Sequence, residues 1–213
     1  MAPTTRLPRS TRIFLAGNTV SMVGTGLLLP FLLIYLHQVR GLVLPVVGAL
    51  LAGAAVGVVA VLISGPLLDR VGVRRVLVAI VLGQACAEVL LAWAHSLPTA
   101  LPGTLLYGAI WAPMFPTIRT MIAGVTPQPV MQQRAFAINF TAQNAALGIG
   151  PAVGAAVAQA QDPRSFQILF LANGASCLLF AIVLSSCRTL IDSGHTMSRR
   201  SDTATCSPIP GCG

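Results

Sequence analysis

Residues 42–77 read LVLPVVGALLAGAAVGVVAVLISGPLLDRVGVRRVL, and this stretch decides the fold of the chain. Its first part, Leu42–Ile63, holds no charged residue, and a helix that crosses a bilayer needs about 20 mostly apolar residues. A short segment with three arginines follows, and another apolar run begins at Val76. Long apolar runs joined by short basic links are typical of helical proteins that cross a membrane repeatedly.

The composition of the whole chain excludes a water-soluble domain. Of its 213 residues, 55% are hydrophobic and 8% are charged, and the mean hydropathy is +0.81. Soluble domains carry about 25% charged residues. The five cysteines have neither the paired spacing of a zinc site nor the even number of a disulfide framework. The sequence also lacks the catalytic motifs of soluble enzymes, so we expect no enzyme activity, no metal and no cofactor.

Six apolar runs have the length of membrane spans, and the links between them are short. Helices joined by short links pack as antiparallel neighbours, so we predict an all-α bundle of six transmembrane helices over residues 13–187. Residues 1–12 form a cytoplasmic segment in this prediction. The polar residues 188–213 form a disordered cytoplasmic tail or are an out-of-register translation product. The predicted spans are Ile13–Leu36, Leu42–Ile63, Val76–Ala94, Leu101–Gly124, Phe136–Ala160 and Phe166–Ser185.

The arginines predict the orientation of the bundle. Cytoplasmic loops of membrane proteins carry an excess of basic residues, and a cytoplasmic N-terminus leaves only Arg40 and Arg164 on the outer side, with Arg119 near the inner end of the fourth span. We therefore predict a multi-pass protein of the cell (plasma) membrane with both termini cytoplasmic. Nucleic acid is not an expected partner, because the arginines lie between apolar runs and not on one contiguous face. The inner arginines are Arg6, Arg9, Arg12, Arg70, Arg74, Arg75, Arg134, Arg188, Arg199 and Arg200.

The link after the second run carries a sequence motif. Residues 65–77, GPLLDRVGVRRVL, resemble the G-x-L-x-D-R-x-G-R-[RK] motif of the major facilitator superfamily, in its expected place between the second and third helices. Val73 departs from the first basic position of the motif. The resemblance implies a gate element that contacts the opposite half of a transporter, and a solvated loop that only sets the orientation is the alternative. The matching residues are Gly65, Leu67, Asp69, Arg70, Gly72, Arg74 and Arg75.

Three residues explain why such a link suits a gate. Gly72 permits a tight turn because it has no Cβ atom. Asp69 can accept charge-assisted hydrogen bonds from a guanidinium group or from a helix N-terminus. Arg119 lies near the same side of the membrane, where it can meet Asp69 or extend toward the membrane surface.

The fifth run shows a second resemblance to the same family. Residues 143–155, QNAALGIGPAVGA, are similar to the G-x-x-x-G-P-x-x-G-G motif of its drug and proton antiporters, with alanine in place of the two outer glycines. Small residues spaced by four form a smooth face for close helix packing, and a proline inside a helix removes one hydrogen bond and can bend it. Generic helix packing is the alternative. The motif residues are Ala146, Gly150, Pro151 and Gly154.

The fourth run departs from the family pattern. The family often has an arginine four residues before a glycine in this helix, whereas Thr104 stands four residues before Gly108. The departure weakens the resemblance to proton-coupled members.

Polar and aromatic residues on three runs predict a substrate cavity. The superfamily resemblance implies inverted three-helix repeats (3+3), and interrupted helices at corresponding positions, here the first and fourth, mark the binding region of such transporters. An apolar and aromatic wall with a few polar groups suits a moderately hydrophobic ligand. Hydrogen bonding between helices is the alternative for each residue. The candidate cavity residues are Asn18, Ser21, Thr25, Trp111, Phe115, Asn139 and Gln143.

Glu88 is the only acidic residue inside a predicted span, and Gln84 lies one turn earlier on the same helix face. A charge inside a membrane is costly and marks a functional site. Glu88 is therefore the candidate for carrying a coupling proton, and a position in a wet outer vestibule is the alternative.

The resemblance covers residues 13–187 and only the N-terminal half of a superfamily fold with two six-helix halves. We therefore expect a fragment, a truncated or frameshifted product, or a chain that pairs with a C-terminal six-helix half. The expected function is proton-coupled efflux of small amphipathic compounds by alternating access, with the lipid bilayer, a small-molecule substrate and protons as partners. The alternatives are an importer or uniporter of a polar metabolite, and a membrane protein that does not transport and acts as an assembly partner.

Overall fold

The computed structural model describes residues 7–39, 41, 43–126, 128–158 and 162–186. Most of the predicted N-terminal segment and the whole predicted tail lie outside this described part, so the predictions for them are not tested.

Six α-helices make up the described residues, among which no strand occurs, and the prediction of an all-helical protein is confirmed. The first helix continues as a short π-helical segment, Tyr35–Val39. The fourth helix starts with a capping box, in which the Ser96 N–H donates to Thr99 Oγ1 over 3.0 Å. The helices are α1 (Arg9–Ile34), α2 (Val43–Val71), α3 (Val73–Ala92), α4 (Leu97–Val125), α5 (Pro129–Val157) and α6 (Pro163–Ser186).

The predicted link between the second and third spans is almost entirely helical, so this prediction is wrong. Residues 64–75 were expected to connect the helices, but α2 continues to Val71 and α3 begins at Val73. Gly72 alone separates them, with a φ angle of 92°. Residues with a Cβ atom rarely adopt such an angle, so the chain turns at the glycine and remains helical on both sides.

Hydropathy marks three stretches as long and apolar enough to cross a membrane: Arg9–His37, Val73–Ala92 and Pro163–Ser186. α2 contains a shorter apolar stretch, Val47–Leu62. α4 carries three prolines inside the helix, and α5 carries several Asn and Gln residues, which lower their hydropathy. Among the described helices, length and composition therefore support three of the six predicted spans.

The helices pack in a connected order. α1 packs against α5 and α6, α4 packs against α2 and α3, and α3 packs against α6. Thr11, at the start of α1, donates to the Val125 carbonyl at the end of α4 over 3.0 Å. At the other end of the bundle, the Tyr35 hydroxyl donates to the Ala92 carbonyl at the end of α3 over 3.4 Å. We call the end where α1 starts and α4 finishes the arginine end, because it holds the exposed residues Arg9, Arg12, Arg70, Arg75, Arg119 and Arg134.

Two helix crossings depend on glycine. Where α1 crosses α5, a Cβ atom on Gly150 would lie 2.5 Å from the carbonyl carbon of Gly26. Where α4 crosses α2, a Cβ atom on Gly108 would lie 2.6 Å from the Leu50 carbonyl oxygen. Both distances are too short for a real side chain, so the helix backbones touch at these points.

A stripe of small residues on α2 repeats the stripe predicted on α5. Ala49, Gly53 and Gly57 have the same spacing of four as the α5 residues, and a Cβ atom on Gly57 would lie 2.7 Å from the Ala109 carbonyl oxygen. Ala49 is buried. The sequence analysis did not single out this α2 stripe, although its spacing was visible in the sequence.

Two apolar clusters fill the inside of the bundle, one toward each end. In the cluster at the arginine end, the rings of Phe14 and Phe180 have centroids 5.7 Å apart. In the other cluster, Tyr35 packs edge-to-face on Phe170 with a centroid distance of 5.1 Å. Buried polar side chains also lie inside the bundle, among them Gln84, Glu88 and Asn173.

We predict that Gly150→Ala lowers the stability of the purified chain and that Gly148→Ala does not. A side chain at 150 would overlap the backbone of α1, and overpacking costs typically about 1–3 kcal/mol. No described atom of another helix lies within 4 Å of a Cβ atom on Gly148, and alanine favours a helix over glycine by about 0.5–1 kcal/mol. Thermal unfolding in detergent measures both variants, and equal melting temperatures would contradict the close crossing.

Candidate functional site

Buried polar side chains from three helices meet inside the bundle. We call Ser21 on α1, Gln84 and Glu88 on α3, and Asn173 and Cys177 on α6 the buried polar layer. Each of these residues is at most 1% exposed. A polar group buried in apolar surroundings is unfavourable unless it has a hydrogen-bond partner, so the partners decide what this layer can do.

Glu88 is the centre of the layer. Its Oε1 atom accepts a hydrogen bond from Gln84 Nε2 over 2.7 Å and a second from Asn173 Nδ2 over 2.6 Å. Both of these donors are neutral amides, and the second one joins α3 to α6. The full burial of Glu88 does not favour a position in a wet vestibule, whereas its role in carrying a proton stays a prediction.

The second carboxyl oxygen of Glu88 has no hydrogen-bond partner among the described residues, and the same is true of Gln84 Oε1. An ionised carboxylate would leave this oxygen uncompensated inside the bundle. A proton on Oε2 would instead turn it into a donor, and the Gln84 amide that already donates to Oε1 also offers an acceptor. The pair can therefore accommodate a protonated carboxyl group through two hydrogen bonds to one amide.

Tyr107 on α4 faces the same pair of residues. It is buried, and its hydroxyl group lies near Gln84 and Glu88. By distance and angle, that hydroxyl group makes no hydrogen bond in the part of the chain that the structure describes. A phenol can donate or accept a hydrogen bond, so Tyr107 offers a further polar group beside this pair.

The predicted cavity residues on α1 and α5 lie in helix contacts. Asn18 Nδ2 donates to Asn139 Oδ1 over 2.7 Å and joins α1 to α5. Ser21 Oγ lies 3.6 Å from Cys177 Sγ on α6, and Thr25 donates to the Ser21 carbonyl of its own helix. Hydrogen bonding between helices, the alternative of the sequence analysis, is what the asparagine pair does. A role of these residues in a substrate cavity stays a prediction.

The remaining predicted cavity residues are partly exposed. Trp111 and Phe115 form an edge-to-face pair with centroids 5.3 Å apart, and Trp111 also stacks on Tyr107 at 6.0 Å. Gln143 on α5 is half-buried. Gln143 lies one turn after Asn139 on the same face of α5, whereas Trp111 and Phe115 lie on α4.

The predicted gate residues lie where α2 meets α3. Arg70 and Arg75 are exposed, and Arg74 is half-buried with an Nε atom that has no partner among the described residues. Gly72 makes the turn. The side-chain surroundings of Gly65, Leu67 and Asp69 lie outside the described part of the structure, as does any contact between Asp69 and Arg119. The gate role of these residues stays a prediction.

The α5 motif residues face α1. Ala146, Gly150 and Gly154 are buried, and Pro151 lies inside the helix. A Cβ atom on Gly154 would lie 2.6 Å from the Leu27 carbonyl oxygen. The small face therefore packs against α1, while its relation to antiporter activity stays a prediction.

Sequence reasoning missed Asn173, Tyr107 and Cys177. Asn173 carried a visible signal, because it is a polar residue inside the sixth apolar run, as Glu88 is inside the third. Tyr107 and Cys177 gave no such signal, since both residue types are common in apolar helices. Within the described residues, no group of three or more His, Cys, Asp or Glu side chains could hold a metal ion.

The sequence profile of the Major Facilitator Superfamily matches residues 14–203 of the chain. The chain belongs to this superfamily of membrane transporters.

Two known proteins are similar to the chain over most of its length. An uncharacterized MFS-type transporter of Bacillus subtilis (strain 168), YttB, is 28% identical over 180 residues, which are 84% of this chain and 44% of that protein. The crystal structure of the human organic anion transporter MFSD10 (TETRAN) is similar with a TM-score of 0.62 and 18% identity, over 83% of this chain and 48% of that chain. The chain thus spans about half the length of these two relatives.

We predict that Asn173→Ala destabilises the chain and that Asn144→Ala has little effect. Asn173 donates to the buried Glu88, and removing one partner of a buried polar group costs about 1–3 kcal/mol. Asn144 is exposed and donates only within its own helix, to the Phe140 carbonyl. Unfolding in a denaturing detergent measures both variants, and two equal unfolding curves would show that the contact contributes little.

Proposed function

We propose that the chain is one six-helix half of a secondary active transporter that exports small amphipathic compounds in exchange for protons by alternating access. Membership of the superfamily supports a transport role. The observation that carries the proton-coupled part of the proposal is the fully buried Glu88, held between α3 and α6 by two amides. Since the chain spans about half of its relatives, the activity belongs to an assembly with a second six-helix half.

The pairing of the helices supports six membrane spans arranged as two inverted repeats. If α1, α2 and α3 correspond to α4, α5 and α6, the contact of α1 with α5 corresponds to that of α4 with α2. The contact of α1 with α6 likewise corresponds to that of α4 with α3. The small-residue stripes on α2 and α5 meet their partners at glycine in both cases. Such internal symmetry is the pattern of transporters built from inverted repeats.

The arginine end supports an orientation with the N-terminus in the cytoplasm. Exposed arginines of α1, α2, α3, α4 and α5 lie at this end, and Arg164 lies at the start of α6 at the other end. Basic residues accumulate on the cytoplasmic side of membrane proteins. We place the protein in the plasma membrane with the arginine end inside the cell.

We predict that Arg75→Cys is labelled by a membrane-impermeant thiol reagent only after the cells are opened, and that Arg164→Cys is labelled on intact cells. Both arginines are exposed, so neither site is hidden inside the bundle. The variants are made in a chain without the native cysteines. Labelling of position 75 on intact cells would reverse the proposed orientation.

Glu88 supports proton coupling through its hydrogen bonds. When it is protonated, the Glu88 carboxyl group can accept one hydrogen bond from the Gln84 amide and donate another to it. When it is ionised, its second oxygen has no hydrogen-bond partner among the described residues in an apolar interior. Loss of the proton therefore favours a rearrangement of α3 against α6 or the entry of water. A change in helix packing that follows protonation is the kind of two-state element that alternating access requires.

The accessible surface of α4 supports an amphipathic substrate. Trp111 and Phe115 of α4 offer apolar and aromatic surface, and Gln143 of α5 offers a half-buried amide group. Sites of this composition accept ligands that are mostly apolar with a few polar groups. The organic anion in the name of the human relative is a property of that protein.

We predict that Glu88→Gln abolishes transport driven by a pH gradient and that Asp162→Asn leaves it intact. Glutamine keeps the shape and the hydrogen bonds of a protonated glutamate but cannot release a proton, whereas Asp162 is exposed at the start of α6. Accumulation of a fluorescent amphipathic dye inside everted membrane vesicles, into which an exporter moves its substrate, measures both variants in the chain assembled with a second six-helix half. Unchanged pH-driven accumulation in Glu88→Gln would refute proton coupling through this residue. Co-purification of a second membrane protein whose presence does not produce transport would favour the alternative, a membrane protein that does not transport and acts as an assembly partner.

A further inference from the structure

Asn173 lies at a junction of three helices. Its side chain is fully buried on α6. The amide nitrogen donates to Glu88 Oε1 on α3 over 2.6 Å. The amide oxygen faces α1 on the other side, because a Cβ atom on Gly24 would lie 2.6 Å from Asn173 Oδ1. One amide group therefore contacts the buried carboxyl group through its nitrogen and the backbone of α1 through its oxygen.

The contact between Asn173 and α1 leaves no free space. A Cβ atom on Gly24 would lie 3.1 Å from Asn173 Cα and would also overlap Ser176 Oγ. The Ser176 hydroxyl group donates to the Asn173 carbonyl oxygen over 2.7 Å and lies 3.4 Å from Asn173 Oδ1. Closely packed interiors have low compressibility and transmit displacements. The Asn173 amide therefore cannot move toward α1 without displacing that helix.

A second contact joins the same faces of α1 and α6 one turn away. Ser21 Oγ on α1 lies 3.6 Å from Cys177 Sγ on α6. Ser21 precedes Gly24 by three residues and Cys177 follows Asn173 by four, and these spacings place each pair on one helix face. Ser21 is also one of the predicted cavity residues. A displacement of α1 at Gly24 would therefore reach the part of α1 where the cavity is predicted.

The charge on Glu88 determines how strongly Asn173 is held. A hydrogen bond to an ionised group is about twice as strong as one between neutral groups, so a proton gained by the carboxyl group weakens the bond from the Asn173 amide. Two other titratable groups among the described residues face Glu88, namely Tyr107 of α4 and Cys177 of α6. A phenol and a thiol are weaker acids than a carboxyl group, so we assign the exchanged proton to Glu88.

We propose that Asn173 is a positioning residue that transmits the protonation state of Glu88 on α3 to the packing of α1 at Ser21 and Gly24. The inference rests on the proposed function, because it takes Glu88 as the proton carrier. It adds the link between the proton and the predicted cavity. In this link, α3 carries the carboxyl group, α6 carries the amide group, and α1 carries the cavity residues.

A fluorescent label on each of two helices tests the proposal in the purified full chain. Val20→Cys on α1 lies beside Ser21, and Val89→Cys on α3 lies beside Glu88; the two valines are 46% and 44% exposed. The native cysteines other than the buried Cys177 are replaced by serine. Each introduced cysteine carries bimane, whose emission reports the polarity around it. We expect the emission of both labels to change with pH in this background and neither to change in Glu88→Gln.

Asn173→Ala separates the responses of the two labels. It removes the amide but keeps Glu88 and its hydrogen bond from Gln84, so we expect the label on α3 to keep its pH-dependent change and the label on α1 to lose it. A residue that only stabilises the fold would affect both labels. Asn144→Ala is the matched control, because Asn144 is exposed and donates to the Phe140 carbonyl of its own helix. Both labels should respond normally in this control.

The two labels also distinguish the failures. If Asn173→Ala does not purify as a folded chain, Asn173→Leu keeps the side-chain volume and has the same expected result. A change on α1 that persists in the Asn173 variant, while Glu88→Gln abolishes it, overturns the role of Asn173 and leaves Glu88 as the proton carrier. A loss on both labels in the Asn173 variant shows a structural role and also overturns the proposal. A pH-dependent change in Glu88→Gln, or none in the background chain, overturns proton coupling through Glu88 and, with it, this inference.

Discussion

Direct contact between helix backbones at two glycine crossings sets the geometry on which the rest of the bundle depends. At Gly26 with Gly150, and at Gly108 with the α2 stripe, no side chain separates the helices. In lipid, helices gain little from burying apolar groups and associate through close packing and hydrogen bonds. These crossings hold α1 to α5 and α4 to α2. The remaining helices, α3 and α6, pack against α4 and α1 and against each other.

The buried polar layer follows from this arrangement. With α3 and α6 packed together, Asn173 reaches Glu88 and supplies a second donor beside Gln84. The carboxyl group of Glu88 is fully buried in this arrangement. Glu88 is therefore the one described acidic side chain whose surroundings are set by three helices, because Tyr107 of α4 also interacts with it.

Much of the fold could be predicted from local patterns, whereas the partners within it could not. Apolar run length indicated where the helices lie, and the spacing of Gly150 and Gly154 indicated a packing face. The extent of α2 could not be inferred, because polar residues such as Asp69 and Arg70 resemble a loop in composition and remain helical here. The contact between Glu88 and Asn173 joins residues 85 positions apart. No local sequence pattern predicts this contact, since it depends on how α3 and α6 pack.

The outer surface is consistent with a hydrocarbon environment. Leu51 and Leu62 on α2 are 67% and 77% exposed, and Ile149 on α5 is 63% exposed. In water such apolar surfaces would drive association. In a bilayer, or in contact with a second six-helix half, the same side chains are shielded from water. Several polar groups that the sequence places in apolar runs are instead buried, as Asn18, Asn139 and Glu88 are.

The single residue between α2 and α3 has a mechanical consequence. A long flexible loop would let two neighbouring helices tilt independently. Here Gly72 is the only residue between α2 and α3, so the two helix ends must stay close together. A change in the tilt of α2 at the arginine end therefore moves the start of α3 as well. Because α3 carries Glu88, such a movement would reach the helix that holds the buried carboxyl group.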